Sequence, residues 1–168
     1  MSTQEHKKKA PEKVRVAVVT VSTTRTLAED KSGQWISRTA EKEGHEVVFH
    51  QVIPDDAAVI EATVKEVIQS LRPAAVLLTG GTGITPKDVT IEAVRPLFEK
   101  ELTAFGALFA QLSYEEIDSA ALMSRATAGV IDATAVFCMP GSINACKLAC
   151  KSLIFPELGH LVKHMKEV

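Results

Sequence analysis

A glycine-rich stretch followed by an aspartate is the part of this sequence best suited to chemistry. Gly80-Gly81-Thr82-Gly83 comes directly after the apolar run of residues 74–79, and Asp88 follows in the same loop. A loop of this kind after a buried strand exposes backbone N–H groups, which is how many proteins bind a phosphate or another anion. The spacing matches neither of the two common nucleotide-binding glycine motifs. Because a strand-to-helix turn alone needs fewer glycines, we predict an anion site of a different kind.

Two aspartates accompany this loop. Asp88 belongs to the loop itself, and Asp55 lies in Pro54-Asp55-Asp56, directly after another predicted strand. An acid in such a position often only caps the helix that follows. Two carboxylates beside a phosphate site also suit Mg²⁺, which binds carboxylate and phosphate oxygens together. The sequence leaves both interpretations open, and it leaves open whether Asp55 or Asp56 is the better metal ligand.

Further polar residues follow other predicted strands. Ser22 and Arg25 come after the first strand, Lys87 precedes Asp88, and Pro140-Gly141-Ser142 comes after the last strand. Arg25 and Lys87 are candidate phosphate partners, although a lone basic residue in a loop is often only solvated. The serine of the last turn predicts either a second anion pocket or an ordinary helix N-cap.

The histidines and cysteines give weaker signals. His160 and His164 stand four apart on the last predicted helix, but the segment lies far from the strand ends and the sequence suggests no third ligand, so metal binding there has little support. Cys138, Cys146 and Cys150 are odd in number and contain no C-x-x-C motif. They are predicted to be reduced core residues in the cytosol, rather than a disulfide framework or a zinc site.

An alternation of apolar strands and amphipathic helices must position the candidate residues. Strands are predicted over residues 14–21, 45–53, 74–79, 122–131 and 134–139, the last two forming a hairpin joined near Asp132. Helices are predicted between them and after the hairpin. This order predicts the α/β fold class, with three α/β/α layers and an open, mostly parallel sheet. In such folds ligands bind beyond the carboxyl ends of the strands, where all the candidate loops are expected to meet.

Composition excludes several classes of partner. The chain has 168 residues, a net charge of −2 and a sequence pI near 6.2, which gives no general attraction to nucleic acid. Its longest apolar runs fall far short of the ~20 residues that span a bilayer. We therefore expect a soluble protein that binds neither nucleic acid nor membrane. Residues 1–13 are predicted to be a polar N-terminal arm and residues 14–168 a single domain.

Several separate motifs resemble those of the MogA/MoaB family of molybdenum cofactor biosynthesis, in the same order and spacing. The resemblance runs from about Val14 to the C-terminus and is closest to the MoaB branch. The matching stretches are residues 21–26, 30–33, 53–55, 79–83, 87–90, 123–125, 140–142 and 156–160.

The resemblance implies the MogA/MoaB fold and molybdopterin adenylyltransferase activity. In that reaction the terminal phosphate of molybdopterin attacks the α-phosphate of ATP with Mg²⁺, giving adenylylated molybdopterin and pyrophosphate. It implies that Asp55 and Asp88 are the catalytic and metal-binding residues, that Ser124 belongs to the pterin-binding part, and that the loop Gly80-Gly81-Thr82-Gly83 is the nucleotide or phosphate site. Thr79, directly before this loop, is a further candidate for substrate or nucleotide binding. It also implies a homotrimer or a homohexamer.

Three positions depart from the family pattern. Lys87 stands where arginine is common, Thr23 where an acid is frequent, and Ile143 where proline is usual. Lysine keeps the charge but loses the bidentate fork of arginine. The departures at Lys87 and Ile143 support an alternative, a non-catalytic molybdopterin-binding or scaffold protein of the same pathway. A pterin- or nucleotide-dependent oxidoreductase is a weaker alternative, because the sequence lacks a dinucleotide fingerprint.

Overall fold

A six-stranded sheet forms the centre of the computed structural model, which describes residues 13–167. The strands are β1 Arg15–Val21, β2 Glu46–Ile53, β3 Ala75–Thr79, β4 Lys100–Glu101, β5 Thr127–Ile131 and β6 Thr134–Met139. Their spatial order is β2-β1-β3-β6-β5-β4. The first four in this order run parallel, and β5 runs antiparallel to both of its neighbours. The predicted fold class, an open and mostly parallel sheet with a hairpin, is confirmed.

Helices cover both faces of the sheet. They are α1 Lys31–Lys42, α2 Ala57–Leu71, α3 Thr90–Val94, α4 Thr103–Ile117, α5 Ile143–Ala149 and α6 Phe155–Lys166. Helices α1, α4, α5 and α6 pack on one face, and α2 and α3 pack on the other. Short 3-10 turns cover Leu27–Glu29, Arg95–Leu97 and Asp118–Met123, and a π-helical turn, Cys150–Ile154, joins α5 to α6. In the part of the chain that the structure describes, no helix is long and apolar enough to cross a membrane.

Strand β1 shows why the core has two halves. Its side chains alternate between the faces, so Val16 and Val18 contact the larger helical layer while Ala17 and Val19 contact α2 and α3. All four are fully buried, which fits a strand covered on both faces and explains its continuous apolar sequence. The less apolar β2 lies at the edge of the sheet, as predicted.

Side-chain caps fix the start of the two helices that follow β1 and β2. Asp30 accepts a hydrogen bond from Gly33 N at 2.9 Å at the start of α1. Asp56 accepts from Ala58 N at 2.9 Å and from Val59 N at 3.0 Å at the start of α2. Such caps satisfy backbone donors that the first helical turn leaves unpaired, and therefore hold the preceding loops in place.

The hairpin region differs from the prediction. The strand predicted over residues 122–131 is wrong in its first half, because Asp118–Met123 forms a 3-10 turn that the hydrogen bond from Ser124 N to Ala121 O closes at 3.0 Å. Strand β6 pairs parallel with β3 and so belongs to the parallel set, with only β5 reversed. The two-residue β4 was not predicted. The predicted polar arm falls, apart from Lys13, outside the described residues.

Candidate active site

The loops after β1, β2, β3 and β6 meet at the carboxyl edge of the sheet. The chain leaves β1 for β2 on one side and returns to β3 on the other, so strand order reverses at β1 and a crevice opens between the diverging loops. A cavity of about 310 Å³ lies there. It is lined by Val21, Ser22, Arg25, Asp55, Gly80, Gly81, Thr82, Gly83, Asp88, Met123, Ser124, Pro140 and Gly141.

All but three of the predicted site residues line this cavity; the exceptions are Thr79, Lys87 and Ser142. Thr79 is fully buried, and its hydroxyl donates to Pro140 O at 2.9 Å, which ties the end of β3 to the end of β6. The Ser142 hydroxyl accepts from Ala145 N at 3.2 Å and caps α5, so the helix-cap interpretation describes this serine. Lys87 is exposed to solvent outside the cavity.

The glycine loop has a backbone that other residues adopt only with strain. Gly80 has φ +96° and Gly81 has φ +65°, both in the left-handed region. A Cβ on Gly80 would lie 2.3 Å from Val21 O, and a Cβ on Gly81 would lie 2.4 Å from Thr90 Oγ1. Both positions therefore require glycine for conformation and for space.

Buried Thr90 orients the peptide groups of this loop. Its hydroxyl donates to Gly80 O at 2.8 Å, and its N–H donates to Gly81 O at 2.9 Å. Since C=O and N–H point in opposite directions in a trans peptide, the N–H groups of Gly81 and Thr82 point away from Thr90. Neither amide donates to an acceptor within residues 13–167. They are available to an anion, whereas Gly80 N–H is already bound to Met139 O at 3.0 Å.

Asp55 is held by the loop after β1. Its Oδ2 accepts from the backbone N–H and from the hydroxyl of Thr23, each at 2.8 Å, and Asp55 N donates to Thr23 Oγ1 at 3.1 Å. Asp56 supplies the cap of α2, so Asp55 is not needed for capping. Its other oxygen, Oδ1, faces the glycine loop, 3.3 Å from where a Cβ on Gly81 would lie. Thr23 is therefore a site residue that the sequence indicated only as a departure from the family pattern.

Asp88 is held by the second half of the glycine loop. Its Oδ2 accepts from Thr85 Oγ1 at 2.7 Å and from Thr85 N at 2.9 Å. The Thr85 hydroxyl, with the N–H groups of Thr85 and Gly83 and the charge of Arg125, holds the pKa of Asp88 below its usual range although burial opposes this. The side chain caps no helix, since α3 begins after Val89 without a side-chain cap. Asp88 is thus an ionised, half-buried carboxylate at neutral pH.

Arg125 clamps the glycine loop from the side of the hairpin. Its Nε donates to Thr82 O and to Gly83 O, both at 3.0 Å, while its two terminal nitrogens donate to the two carboxylate oxygens of Glu92. The hydrogen bonds from Arg125 hold the pKa of Glu92 below its usual range. Residues 123–125 belong to one of the matching motifs, but the sequence indicated a role only for Ser124, so the structural role of Arg125 was missed.

A second cavity adjoins the first. It has a volume of about 320 Å³ and is lined by Gly83, Ile84, Thr85, Asp88, Glu92 and Arg125. Gly83 and Asp88 line both cavities. The Asp88 carboxylate therefore stands between two neighbouring spaces, each large enough for part of a small-molecule ligand.

A buried polar network supports the loop after β1. The fully buried Asp30 accepts from Thr20 Oγ1 at 2.7 Å and contacts His50 Nε2 at 2.8 Å. Next to it on α1, the Ser32 hydroxyl donates to Gly141 O at 2.9 Å and so links α1 to the turn after β6. His50 gave no signal in the sequence, because a histidine in a half-buried edge strand usually has no special role.

The fold and the site define a three-layer α/β protein with two neighbouring cavities, a glycine loop and two held carboxylates at its topological switch point. Residues 17–160 match the family profile described as "Probable molybdopterin binding domain", and the chain belongs to this family. The family predicted from the sequence is confirmed.

Relatives and solved structures resemble this chain over almost its whole length. Molybdenum cofactor biosynthesis protein B of Bacillus subtilis is 51% identical over 168 residues, 99% of each chain. Molybdopterin adenylyltransferase of Pyrococcus furiosus is 42% identical over 173 residues, 99% of this chain and 100% of the relative. A crystal structure of molybdenum cofactor biosynthesis protein B superposes with a TM-score of 0.90 at 45% identity, covering 94% of this chain and 98% of the other.

Proposed function

We propose that this protein acts in molybdenum cofactor biosynthesis by transferring the adenylyl group of ATP to the terminal phosphate of molybdopterin, with Mg²⁺ as cofactor and pyrophosphate as the second product. The name of the Pyrococcus relative, molybdopterin adenylyltransferase, supports this activity. The observation that carries the proposal is that two cavities share Gly83 and Asp88. A transfer between two phosphorylated molecules needs two neighbouring binding sites, placed so that the phosphate groups of the two bound molecules meet. These two cavities meet at the Asp88 carboxylate and at Gly83.

The donor groups of the site fit Mg²⁺. Asp55 and Asp88 both line the main cavity and offer carboxylate oxygens close to Gly81 and to Gly83 respectively. Within the described residues, no three His, Cys, Asp or Glu side chains form a metal-binding group. This suits Mg²⁺, which is usually held by one or two carboxylates together with substrate phosphates and water. When bound, Mg²⁺ neutralises charge on the reacting phosphates.

The residues of the chain position the reactants. The N–H groups of Gly81 and Thr82 donate to phosphate oxygens, and Ser22 and Arg25 close the cavity on the side of β1. Ser124 lies on the side where we place the pterin. An oxygen of the terminal phosphate of molybdopterin attacks the α-phosphorus of ATP, and the bond between the α-phosphorus and the bridging oxygen breaks as pyrophosphate leaves. The substrate is the nucleophile, so positioning and fixed hydrogen-bond donors suffice without a covalent protein intermediate.

The test is direct. The protein is incubated with molybdopterin, ATP and Mg²⁺, and both adenylylated molybdopterin and pyrophosphate are measured. Absence of both products in a folded sample would contradict the proposal. The alternative, a non-catalytic molybdopterin-binding or scaffold protein, predicts a pterin affinity that does not change with nucleotide, and calorimetry with Mg-ATP distinguishes the two. Lys87, one of the departures that motivated this alternative, lies outside the main cavity.

We also infer that the chain assembles as a homotrimer or a homohexamer in the cytoplasm. Five large apolar side chains on α4 and the following 3-10 turn are exposed, namely Leu108, Tyr114, Ile117, Leu122 and Met123. A group of exposed apolar side chains on one segment is typical of a contact surface. Met123 also lines the cavity, so the assembly would bring a neighbouring copy close to the site. Light scattering on the eluting protein measures the mass, and a monomer at high concentration would contradict the assembly.

A further inference from the structure

Each of the two aspartates of the main cavity has one carboxylate oxygen held by a threonine. Asp55 Oδ2 accepts from the N–H and from the hydroxyl of Thr23, each at 2.8 Å. Asp88 Oδ2 accepts from Thr85 N at 2.9 Å and from Thr85 Oγ1 at 2.7 Å. Thr23 is 32 residues from Asp55 along the chain, whereas Thr85 is three residues from Asp88. The same double contact therefore occurs twice at one cavity, although the backbone builds it in two unrelated ways.

These contacts occupy one oxygen of the Asp55 carboxylate and leave the other available. A carboxylate oxygen has two lone pairs, and Oδ2 accepts two hydrogen bonds from Thr23. The Thr23 hydroxyl is fixed in orientation, because it also accepts from Asp55 N at 3.1 Å and so directs its own proton to Oδ2. Oδ1 accepts no hydrogen bond from residues 13–167 and faces Gly81 across the cavity floor. The lone pairs of Oδ1 are therefore available to a cation.

Asp88 has the same arrangement with more support around it. The N–H of Gly83 and the charge of Arg125 also stabilise its ionised form. Both hydrogen bonds from Thr85 nevertheless go to Oδ2, and Oδ1 lies 3.4 Å from where a Cβ on Gly83 would lie. Since Oδ2 already accepts two hydrogen bonds, Asp88 also offers a ligand one oxygen rather than two.

We propose that Thr23 and Thr85 are positioning residues that make Asp55 and Asp88 ligands through one oxygen each, and that they thereby select Mg²⁺ over Ca²⁺. This inference rests on the proposed function, which takes Mg²⁺ as the cofactor of the site. Ca²⁺ takes about six to eight oxygen ligands and readily binds both oxygens of a carboxylate, whereas Mg²⁺ requires an octahedron and keeps several waters. Binding through both oxygens would break the hydrogen bonds from the threonine, so the arrangement disfavours Ca²⁺ more than Mg²⁺.

A third threonine in the chain makes the same contact away from the site and provides a matched control. Glu29 Oε2 accepts from Thr26 N at 3.0 Å and from Thr26 Oγ1 at 2.8 Å. Neither Thr26 nor Glu29 lines either of the two cavities at the carboxyl edge. Thr26, Thr23 and Thr85 are all exposed, so replacing any of them by valine should leave the fold intact.

Metal competition on the untagged chain tests the proposal. Excess protein is mixed with α,β-methylene-ATP, which cannot release pyrophosphate, and Mn²⁺ is added as the probe. Electron paramagnetic resonance measures free Mn²⁺ while MgCl₂ or CaCl₂ displaces the bound ion. In the wild type, half-displacement should need about tenfold more Ca²⁺ than Mg²⁺. In Thr23→Val and in Thr85→Val this ratio should fall to the value measured for the nucleotide without protein. Thr23→Ser, which keeps the hydroxyl, and Thr26→Val should keep the wild-type ratio.

Either of two outcomes would overturn the proposal. One is a wild-type ratio no higher than that of the nucleotide alone, and the other is a ratio that stays unchanged in Thr23→Val or falls equally in Thr26→Val. A threonine that only ties two loops together would alter stability without altering this ratio, and circular dichroism checks that each variant is folded. Adenylyl transfer by the wild type is measured separately. Product formation with an unchanged ratio in Thr23→Val rejects this inference alone, whereas the expected ratios without product reject the proposed function alone.

Discussion

The two edges of the sheet each carry a cavity, and the two cavities differ in size, charge and backbone. The cavity at the amino edge is the larger, at about 740 Å³, and four cationic side chains line it: Lys13, Arg15, Arg72 and Lys166. The cavity at the carboxyl edge has about 310 Å³ and combines two aspartates with one arginine and a glycine loop. Volume and positive charge alone would place a phosphate ligand at the amino edge.

The arrangement of the backbone instead favours the carboxyl edge as the site of a phosphate ligand. At the carboxyl edge, parallel strands end side by side where strand order reverses, so loops from four strands contribute to one space. Two amides that have no acceptor within residues 13–167 and two held carboxylates converge there. At the amino edge, Arg15 donates to Leu71 O at 2.7 Å, and Lys13 lies 3.8 Å from Glu46. Oriented backbone donors and fixed carboxylates therefore define this candidate site better than cavity size does.

Removing one carboxylate from each edge in turn should give the largest difference in kcat/KM between two variants. Asp88→Asn keeps the shape but removes a charge from the carboxyl edge, and we expect kcat/KM for adenylyl transfer to fall by about 100-fold or more. Asp132→Asn removes a carboxylate that lines the amino-edge cavity and should leave kcat/KM within about twofold. Because hydrogen bonds hold the pKa of Asp88 below its usual range, this carboxylate should stay ionised in the wild type as the pH falls from 7 to about 5. Equal losses in the two variants would contradict the comparison.

The glycine loop should be sensitive to a single methyl group. Gly80→Ala places a Cβ 2.3 Å from Val21 O at a φ of +96°, whereas Gly44→Ala at a φ of +91° meets nothing within 4 Å. The matched control should lose about 1–2 kcal/mol from backbone strain alone. Gly80→Ala should lose more, about 3 kcal/mol or above, because Val21 must also move. Urea unfolding measures both values, and equal losses would show that the close contact with Val21 is relaxed without cost.

Local patterns predicted the strands and the glycine loop, and long-range contacts explain what they missed. The apolar run ended by Gly80-Gly81 is visible in the sequence because strand and turn occupy adjacent residues. The contact of Thr23 with Asp55 joins residues 32 apart, and that of Arg125 with Gly83 joins residues 42 apart. Such contacts depend on which loops meet, and therefore on the strand order, which no local pattern specifies.

The misassigned strand has a related cause. Leu122 and Met123 were predicted to lie in a strand because they are apolar, yet both are exposed, Leu122 to 89%. Apolar residues predict a buried strand only when the fold covers them. Here they follow α4 in a 3-10 turn and face outward beside the cavity, where we propose that another copy binds.

Substitution of Arg125 tests whether the geometry of the glycine loop contributes to activity at the carboxyl edge. Arg125→Lys keeps the charge but cannot hold Glu92 and the loop carbonyls together, so we expect kcat/KM to fall about tenfold, mainly through a higher KM for ATP. Arg95→Lys is the matched control, since Arg95 forms a similar pair with Glu101 at 3.0 Å and lines neither cavity of the site. An unchanged KM in Arg125→Lys would show that Thr90 alone holds the loop.

Substitution of Asp30 tests the buried polar network that supports the loop after β1. Burial by itself raises the pKa of Asp30, but hydrogen bonds from His50, Thr20 and Gly33 outweigh it and hold the pKa below its usual range. A depressed folded-state pKa contributes stability that is complete above the unfolded pKa, about 3.9, and is lost as the pH falls through the lower folded value. Asp30→Asn should therefore cost about 1–3 kcal/mol at pH 7 and show a weaker loss of stability below pH ~4 than the wild type. Parallel urea curves for wild type and variant at all pH values would contradict this account.

The smallest effect is expected from a substitution at the amino edge, which should change the free energy of unfolding without changing the activity. Arg72 ends α2 with a φ of +46°, a conformation that costs a non-glycine residue about 1–2 kcal/mol. Arg72→Gly relieves this strain but adds disorder to the unfolded chain, so the net gain in unfolding free energy should be about 0.5–1 kcal/mol. The same change removes a cation from the larger cavity. If that cavity bound ATP or molybdopterin, kcat/KM would fall while stability rose. We expect kcat/KM to stay within about twofold of wild type, because we propose that the amides at the opposite edge of the sheet bind the phosphate groups.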